Sequence, residues 1–103
     1  MFELIFHPEA EAEILALASN VQGKALRALA KLEAEGHQLR YPDTAPIRDG
    51  LFELRAGGKD ITRTFFAFSK GKQIYILRTF VKKTAKTPSS EIKLALSRLE
   101  QLL

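Results

Sequence analysis

Cationic side chains recur through the second half of the chain at spacings that suit the binding of a phosphate-bearing polyanion. Arg55 and Arg63 fall in two strand patterns, and a third pattern, residues 76–81, passes directly into a lysine-rich turn that Pro88 stops. Guanidinium groups bind phosphate oxygens through paired N–H donors. The alternative is that these side chains extend into water with their stems over neighbouring aromatic rings. The cations in question are Arg55, Arg63, Arg78, Lys82, Lys83 and Lys86.

Charge is distributed unevenly along the chain, whose net charge is +4. Residues 1–50 hold five Lys or Arg against eight Asp or Glu, while residues 51–103 hold eleven against four, so the halves carry −3 and +7. A positive half of this density attracts polyanions through the release of counterions. We therefore expect a nucleic acid or the ribosome as a partner.

Composition narrows the classes of chemistry that the chain can perform. With 103 residues, 46% of them hydrophobic, we expect one domain over residues 1–103. The chain has no cysteine and two distant histidines, so thiol chemistry is excluded and neither a metal nor a cofactor is expected. No apolar run is long enough to span a membrane and no signal peptide is recognisable, which predicts a cytoplasmic protein with no membrane partner.

Helical spacing dominates the first part of the chain. Residues 2–6 form a short apolar strand pattern, and Pro8 then suits the first turn of a helix. Apolar residues at helical intervals predict two helices, near residues 8–19 and 21–35. The proline-containing segment 37–49 is expected to be an irregular crossing loop.

After Gly50 the apolar period changes to two, which predicts an antiparallel meander. Its strands are expected at residues 51–55, 61–68 and 73–81, with turns at 56–60 and 69–72. Thr87 is the expected N-cap of a terminal helix with one apolar stripe. The predicted fold is a two-layer α+β domain with two N-terminal helices on one face of the sheet, in the order β-α-α-β-β-β-α.

Turn lengths then predict which side chains share a face of the sheet. Closing the two hairpins places Arg55 opposite Ile61 and Phe68 opposite Gln73, with Arg63 between Glu53 and Arg78. We expect one face to be open to a partner, with cations and aromatic rings interleaved: Glu53, Arg55, Arg63, Phe65, Ile76, Arg78, Phe80 and Lys82. The other face is expected to support the helices: Phe52, Leu54, Phe66, Phe68, Tyr75, Leu77 and Val81.

Two segments resemble those of the RelE/ParE toxin superfamily, in its phage-derived HigB-like branch. The first runs from Asp49 to Arg55, with Thr62 and Arg63 opening the strand that follows it, and the second is Leu77–Thr84 with Lys86, Thr87 and Pro88. The resemblance covers nearly the whole chain and implies a RelE-like fold. It also implies the toxin of a type II toxin–antitoxin system, an endoribonuclease or mRNA interferase that enters the ribosomal A site and cleaves mRNA.

The resemblance further implies roles for individual residues. Cleavage of this type needs no metal, because the ribose 2′-hydroxyl is the nucleophile and the protein supplies orientation, charge neutralisation and proton transfer. Arg55 and Arg63 match the strand arginines that hold the scissile phosphate, and Lys82 and Lys83 match the basic end of the last strand. Arg78, Phe80 and Lys86 are expected to bind RNA, Arg78 because of the register above. A cognate antitoxin protein is the implied partner.

The general base and the activity class stay open at this point. Like charge from neighbouring arginines would lower the pKa of a lysine, which makes Lys82 or Lys83 one candidate for the base. Glu53 is the second candidate, although its expected position beside Arg63 favours a structural role. A DNA gyrase inhibitor of the ParE type, or a non-catalytic RNA-binding module, is the alternative function. Gyrase inhibition does not require the basic cluster, so that cluster favours RNA cleavage.

Overall fold

The computed structural model describes residues 1–57 and 61–103, which form five strands and three α-helices. The strands are β1 (Glu3–Phe6), β2 (Thr44–Arg48), β3 (Leu51–Ala56), β4 (Ile61–Phe68) and β5 (Gln73–Lys82). The helices are α1 (Pro8–Leu15), α2 (Ser19–Glu35) and α3 (Ser89–Leu102), with a short 3-10 helix at Gly36–Gln38. None of the helices in these ranges has the length and apolar character needed to cross a membrane.

The five strands form one mixed sheet in the order β1-β5-β4-β3-β2. β1 pairs with β5 in parallel, and the other neighbouring strands pair antiparallel. β4 is the central strand, so a side chain on it is flanked by neighbours on both sides. This is why Arg63, on β4, is among the most enclosed charged residues of the sheet.

Helices cover both faces of the sheet. α1 and α2 pack over one face around Leu32 and Phe66, and α3 packs over the other around Phe65, Leu77 and Ala95. The α+β class is therefore confirmed, with one addition to the predicted arrangement. α3 occupies part of the face that was expected to be open, because its apolar stripe finds a matching apolar region there.

The predicted register is wrong by two residues between β3 and β4 and in the part of the β4–β5 pair that contains Arg63. Beyond the bulge described below it is wrong by one residue, since Phe68 lies opposite Ile74 and not opposite Gln73. Arg55 lies opposite Arg63 and not opposite Ile61, and Arg63 lies opposite Phe80 and not opposite Arg78. The pairing of Ala56 with Thr62 shows that β3 continues one residue further than expected. A shift by two keeps each side chain on its predicted face, because the side-chain period of a strand is two.

A β-bulge in β5, in contrast, changes the face of the sheet on which several side chains of that strand lie. The partner shifts from Arg78 to Ile76 between Phe65 and Phe66, so the extra residue Leu77 stays on the same face as Arg78. Ile76 consequently packs beneath α1 and α2, whereas Leu77 and Tyr75 pack against α3. The predicted faces of Ile76, Tyr75 and Leu77 were therefore wrong, because strict alternation does not anticipate a bulge.

The expected loop 37–49 contains an additional strand, β2, which pairs with β3. The first helix ends at Leu15 and not near residue 19, and the Gln22 side-chain amide donates to the carbonyls of Ile14 and Leu15 at that end. α3 starts after Pro88, without the side-chain cap expected from Thr87. Of the turn predicted at residues 56–60, residues 58–60 lie outside the described residues.

Gly36 ends α2 with a φ of +53°. A side chain at this position would collide with the ring of Phe2. Glycine is therefore required here both for its conformation and for the close approach of the N-terminal strand. The chain then turns through Leu39 into the loop that leads to β2.

Candidate functional site

Glu53 joins Arg55 and Arg63 into one cluster on the face covered in part by α3. Arg55 donates to Glu53 Oε2 from Nε at 2.8 Å and approaches the same oxygen with Nη2 at 2.7 Å. Arg63 Nε lies 3.4 Å from Glu53 Oε1. Two cations thus share one carboxylate, and these three residues, Glu53, Arg55 and Arg63, are called the Arg63 cluster below.

Arg63 is enclosed and incompletely paired. Its side chain is 10% exposed, and its buried Nε and Nη1 atoms have no hydrogen-bond partner. Burial lowers the pKa of Arg63 below its usual value, the attraction of Glu53 opposes this, and the like charge of Arg55 adds to it. A buried N–H donor without a partner costs about 1–3 kcal/mol. The Arg63 guanidinium therefore keeps hydrogen-bonding capacity that Glu53 does not use.

Arg55 is more accessible than Arg63. Its side chain is 30% exposed, and its guanidinium carbon lies 5.2 Å from the centre of the Tyr41 ring. The hydrogen bond to Glu53 raises the pKa of Arg55, and burial only partly opposes it. The Arg55 backbone N–H donates to the Asp43 carbonyl at 2.8 Å, which holds the loop that carries Tyr41 against the end of β3.

The other predicted site residues lie at or beyond the end of β5. Phe80 is directly opposite Arg63 and packs edge-on against Phe65, with ring centres 5.3 Å apart. Lys82 is two residues further along the same face, a diagonal separation from Arg63 of about 7–8 Å between Cα atoms. Lys83 and Lys86 are exposed in the turn after β5. The structure therefore places Lys82 nearest to the Arg63 cluster, with Lys83 and Lys86 at its margin.

Arg78 belongs to a second cluster on the same face. It donates to Glu13 at 2.6 Å and to the two oxygens of Glu91 at 2.7 and 3.1 Å. Arg98, from α3, donates to both oxygens of Glu13 and to the Leu77 carbonyl. Arg78, Arg98, Glu13 and Glu91 are called the Arg78 cluster below, and in it two cations meet two carboxylates.

The Arg78 cluster closes the edge of β5 where β1 has ended. There the Thr79 backbone N–H donates to Glu13 at 3.1 Å, and the Leu77 carbonyl accepts from Arg98. Burial raises the pKa of Glu13, but hydrogen bonds from Arg98, from the Thr79 N–H and from Arg78 outweigh it and leave the pKa below its usual value. The side chains thus replace a missing strand.

The sequence patterns singled out neither Glu13 nor Arg98. A signal for Arg98 was present, because it follows the buried Ala95 by three residues and so borders the apolar stripe of α3. Glu13 gave no such signal. Its role depends on β1 ending at Phe6 and on α1 crossing the exposed edge of β5.

Neither histidine contacts the Arg63 cluster in the hydrogen bonds and aromatic pairs of the described chain. His7 caps α1 by accepting the Glu9 N–H at Nδ1, and its Nε2 lies 2.6 Å from Gln101 Oε1. His37 stacks on Phe68 with ring centres 3.8 Å apart.

Comparison with known proteins gives two findings. A family model described as Phage derived protein Gp49-like matches residues 12–100. The structure is also similar to the crystal structure of the isolated E. coli RelE toxin, with a TM-score of 0.67 and 13% sequence identity over 90% of this chain and 97% of that one. No protein of curated function matches significantly.

Proposed function

We propose, since the chain belongs to the phage-derived Gp49-like family and has the fold of a RelE toxin, that it is the toxin of a type II toxin–antitoxin system. The family match and the fold confirm the resemblance to RelE-like toxins that the sequence indicated. As its activity we propose metal-free endonucleolytic cleavage of mRNA in the ribosomal A site.

One observation carries the proposal, the buried and incompletely paired guanidinium of Arg63. A protein interior normally pairs its buried donors, so two unpaired N–H-bearing atoms on a central strand require a reason. A phosphate diester supplies acceptor oxygens and the negative charge that the Arg63 cluster lacks. With two arginines and the single carboxylate of Glu53, that cluster has a net charge of +1, and the nearby Lys82 contributes a further positive charge.

The proposed reaction is an intramolecular transesterification. The ribose 2′-oxygen forms a bond to the adjacent phosphorus while the bond from phosphorus to the 5′-oxygen breaks, leaving a 2′,3′-cyclic phosphate and a 5′-hydroxyl. Arg63 and Arg55 bind the non-bridging oxygens, on which charge increases in the transition state. Donors arranged in advance of the reaction in this way stabilise transition states by a few kcal/mol.

Proton transfer is assigned to the lysines at the end of β5. Lys82 lies on the same face as Arg63, and Lys83 follows it at the exposed margin, so either is placed to take the 2′-hydroxyl proton or to protonate the leaving oxygen. Glu53 is a positioning residue, because one of its oxygens already accepts from Arg55 and the other faces Arg63.

The RNA-binding surface is proposed to extend from the Arg63 cluster towards the turn after β5. Phe80 lies directly beside Arg63, and Lys86 provides an exposed charge for the phosphate backbone. Arg78 was predicted to bind RNA as well, but its contacts with Glu13 and Glu91 favour a structural role. A cognate antitoxin carrying acidic and apolar residues is the proposed protein partner.

Brief expression of the chain in growing cells, followed by mapping of message 5′ ends against the reading frame, tests the proposal. We expect cuts in phase with codons from the wild-type chain and none from Arg63→Met. Arg27→Met, which removes an exposed arginine on α2, is the matched control and is expected to cut as the wild type does.

Two results would contradict mRNA cleavage. Intact messages together with inhibited DNA supercoiling would indicate a gyrase-directed toxin. Salt-sensitive RNA binding without any new message ends would indicate a non-catalytic RNA-binding module.

A further inference from the structure

Tyr41 is an exposed aromatic residue that the proposed mechanism does not use. It is 76% exposed, yet its ring lies under the guanidinium of Arg55, whose central carbon is 5.2 Å from the ring centre. A guanidinium over an aromatic face is attracted by the negative charge distribution of that face. The contact joins the loop before β2 to one of the two arginines that are proposed to bind the phosphate.

The loop that carries Tyr41 is fixed by hydrogen bonds that join residues before and after the ring. The backbone N–H groups of Asp43 and Thr44 both donate to the Arg40 carbonyl, at 3.0 and 3.2 Å. The Arg55 backbone N–H donates to the Asp43 carbonyl at 2.8 Å, so the loop is tied to the same residue whose guanidinium contacts the ring. The Tyr41 ring is therefore held at a fixed place relative to Arg55.

Glu53 and Tyr41 together leave one edge of the Arg55 guanidinium open. Glu53 Oε2 occupies the side-on edge, which consists of Nε at 2.8 Å and Nη2 at 2.7 Å. Within residues 1–57 and 61–103, no acceptor is hydrogen-bonded to Nη1. The end-on edge, with one N–H from Nη1 and one from Nη2, can therefore bind two oxygens of a single phosphate.

Arg78 shows the same kind of aromatic contact in a network of paired charges. Its guanidinium carbon lies 5.7 Å from the centre of the Phe80 ring, and its Nε, Nη1 and Nη2 atoms all donate to carboxylate oxygens of Glu13 or Glu91. There the ring covers a guanidinium whose nitrogens all have partners. At Arg55 the ring holds a side chain that still has donors for a ligand.

We propose that Tyr41 is a positioning residue, which holds the Arg55 guanidinium so that its end-on edge meets the scissile phosphate. The inference rests on the proposed function and adds to it a residue from outside the sheet. An arginine side chain is long and loses much rotational freedom when a ligand orders it. Because Glu53 and Tyr41 hold Arg55 before RNA binds, less of that freedom is lost on binding.

Binding of a dye-labelled 2′-O-methyl RNA trinucleotide, followed by fluorescence anisotropy, tests the role of Tyr41 separately from cleavage, because this probe has no free 2′-hydroxyl. We expect Tyr41→Leu to weaken binding about two- to fivefold, the factor that one cation–π contact of a partly exposed arginine contributes. Tyr41→Phe keeps the ring and is expected to restore the affinity. Leu15→Ala, which truncates an exposed apolar side chain on α1, is the surface control.

A double-mutant cycle with Arg55→Met shows whether Tyr41 acts through Arg55. If Tyr41 positions the guanidinium, Tyr41→Leu has no further effect on affinity in the Arg55→Met background. An equal loss in both backgrounds would overturn the inference, because the ring would then act independently of Arg55. No loss from Tyr41→Leu in the wild-type background would overturn it as well.

The Arg55 Nε–H resonance gives a readout that does not depend on RNA. It is identified in proton–nitrogen correlation spectra of the free protein by its absence from Arg55→Met. Because an aromatic ring shifts the resonances of nearby protons, we expect this signal to move in Tyr41→Leu but not in Tyr41→Phe. A signal that stays in place in Tyr41→Leu would contradict the positioning role.

These outcomes are separable from failure of the proposed function. A chain that shows the coupling between Tyr41 and Arg55 but cuts no message contradicts the cleavage reaction and leaves the positioning role standing. A chain that cuts messages in phase with codons but shows no such coupling keeps the proposed function and overturns the positioning role.

Discussion

Two arginine clusters lie on the same face of the sheet and differ in how fully their charges are paired. In the Arg78 cluster, Arg78 and Arg98 meet Glu13 and Glu91 at 2.6–3.1 Å. In the Arg63 cluster, two arginines share the one carboxylate of Glu53, and the approach of Arg63 to it is 3.4 Å.

The difference in charge pairing favours a structural role for the Arg78 cluster and supports the ligand-binding role proposed for the Arg63 cluster. The Arg78 cluster also contains one buried nitrogen without a hydrogen-bond partner, Arg98 Nε, but its two arginines are balanced by two carboxylates, so it gains little by binding an anion. A buried cation without sufficient carboxylate carries an energetic cost that a phosphate removes. Local charge balance, and not the presence of arginines alone, therefore identifies the candidate site.

Arg63→Met is expected to have the largest effect. Removal of the unpaired guanidinium should lower the rate of message cleavage about 100- to 1,000-fold, as the loss of a transition-state donor does. The free energy of unfolding should change by less than about 1 kcal/mol, because the buried donors of Arg63 are not satisfied in the native state. Cleavage assays and urea denaturation followed by circular dichroism measure the two quantities.

Arg78→Met tests whether the Arg78 cluster has a structural role, and Arg63→Met is the variant to which it is compared. We expect it to reduce stability by about 1–3 kcal/mol, since it leaves Glu13 and Glu91 with fewer partners, while the folded fraction keeps its cleavage rate. If Arg78→Met abolished cleavage without loss of stability, the assignment of the two clusters would have to be reversed.

Glu13→Gln is expected to destabilise the protein by about 3 kcal/mol, because it removes the shared partner of two largely buried arginines. Denaturant titration gives the change in free energy. Glu11→Gln, on the exposed side of the same helix, is the control and should stay within about 0.5 kcal/mol of the wild type. Equal effects of the two substitutions would show that the Arg78 cluster contributes no special stability.

The pH dependence of stability is expected to differ between the wild type and Glu13→Gln. Because the folded-state pKa of Glu13 is lowered from 4.5, its carboxylate contributes stability above that pH, and this contribution is lost as pH falls through the lower folded value. Denaturation from pH 7 to pH 3 should therefore bring the two proteins closer together in acid. A constant difference would contradict the lowered pKa.

Lys86→Met is expected to have the smallest effect. Lys86 is exposed, so stability should be unchanged, and the slope of log affinity for single-stranded RNA against log salt should fall by about 0.7, the value for one phosphate contact. Lys93→Met, which removes an exposed lysine on α3, is the matched control. If both variants gave the same slope as the wild type, Lys86 would lie outside the RNA-binding surface.

Much of the fold was predictable from periodicity, and much of the site was not. The change from helical to alternating spacing at Gly50 located the three central strands to within one residue. Around Arg55 and Arg63 the register was wrong by two residues, yet both side chains stayed on the predicted face because that error is even. The bulge at Leu77 had no sequence signal and reversed the faces of Tyr75 and Ile76.

The element types, the resemblance to RelE-like toxins and the excess of cations in the second half could be read from the sequence, because they depend on local spacing and composition. Which arginines have enough carboxylate partners depends instead on how the folded chain brings distant residues together. One of the two carboxylates that pair with Arg78 comes from α1, 65 positions earlier in the chain, whereas Arg63 shares the single carboxylate of Glu53 with Arg55. Such pairing depends on where helices cross the sheet, and local sequence does not encode it.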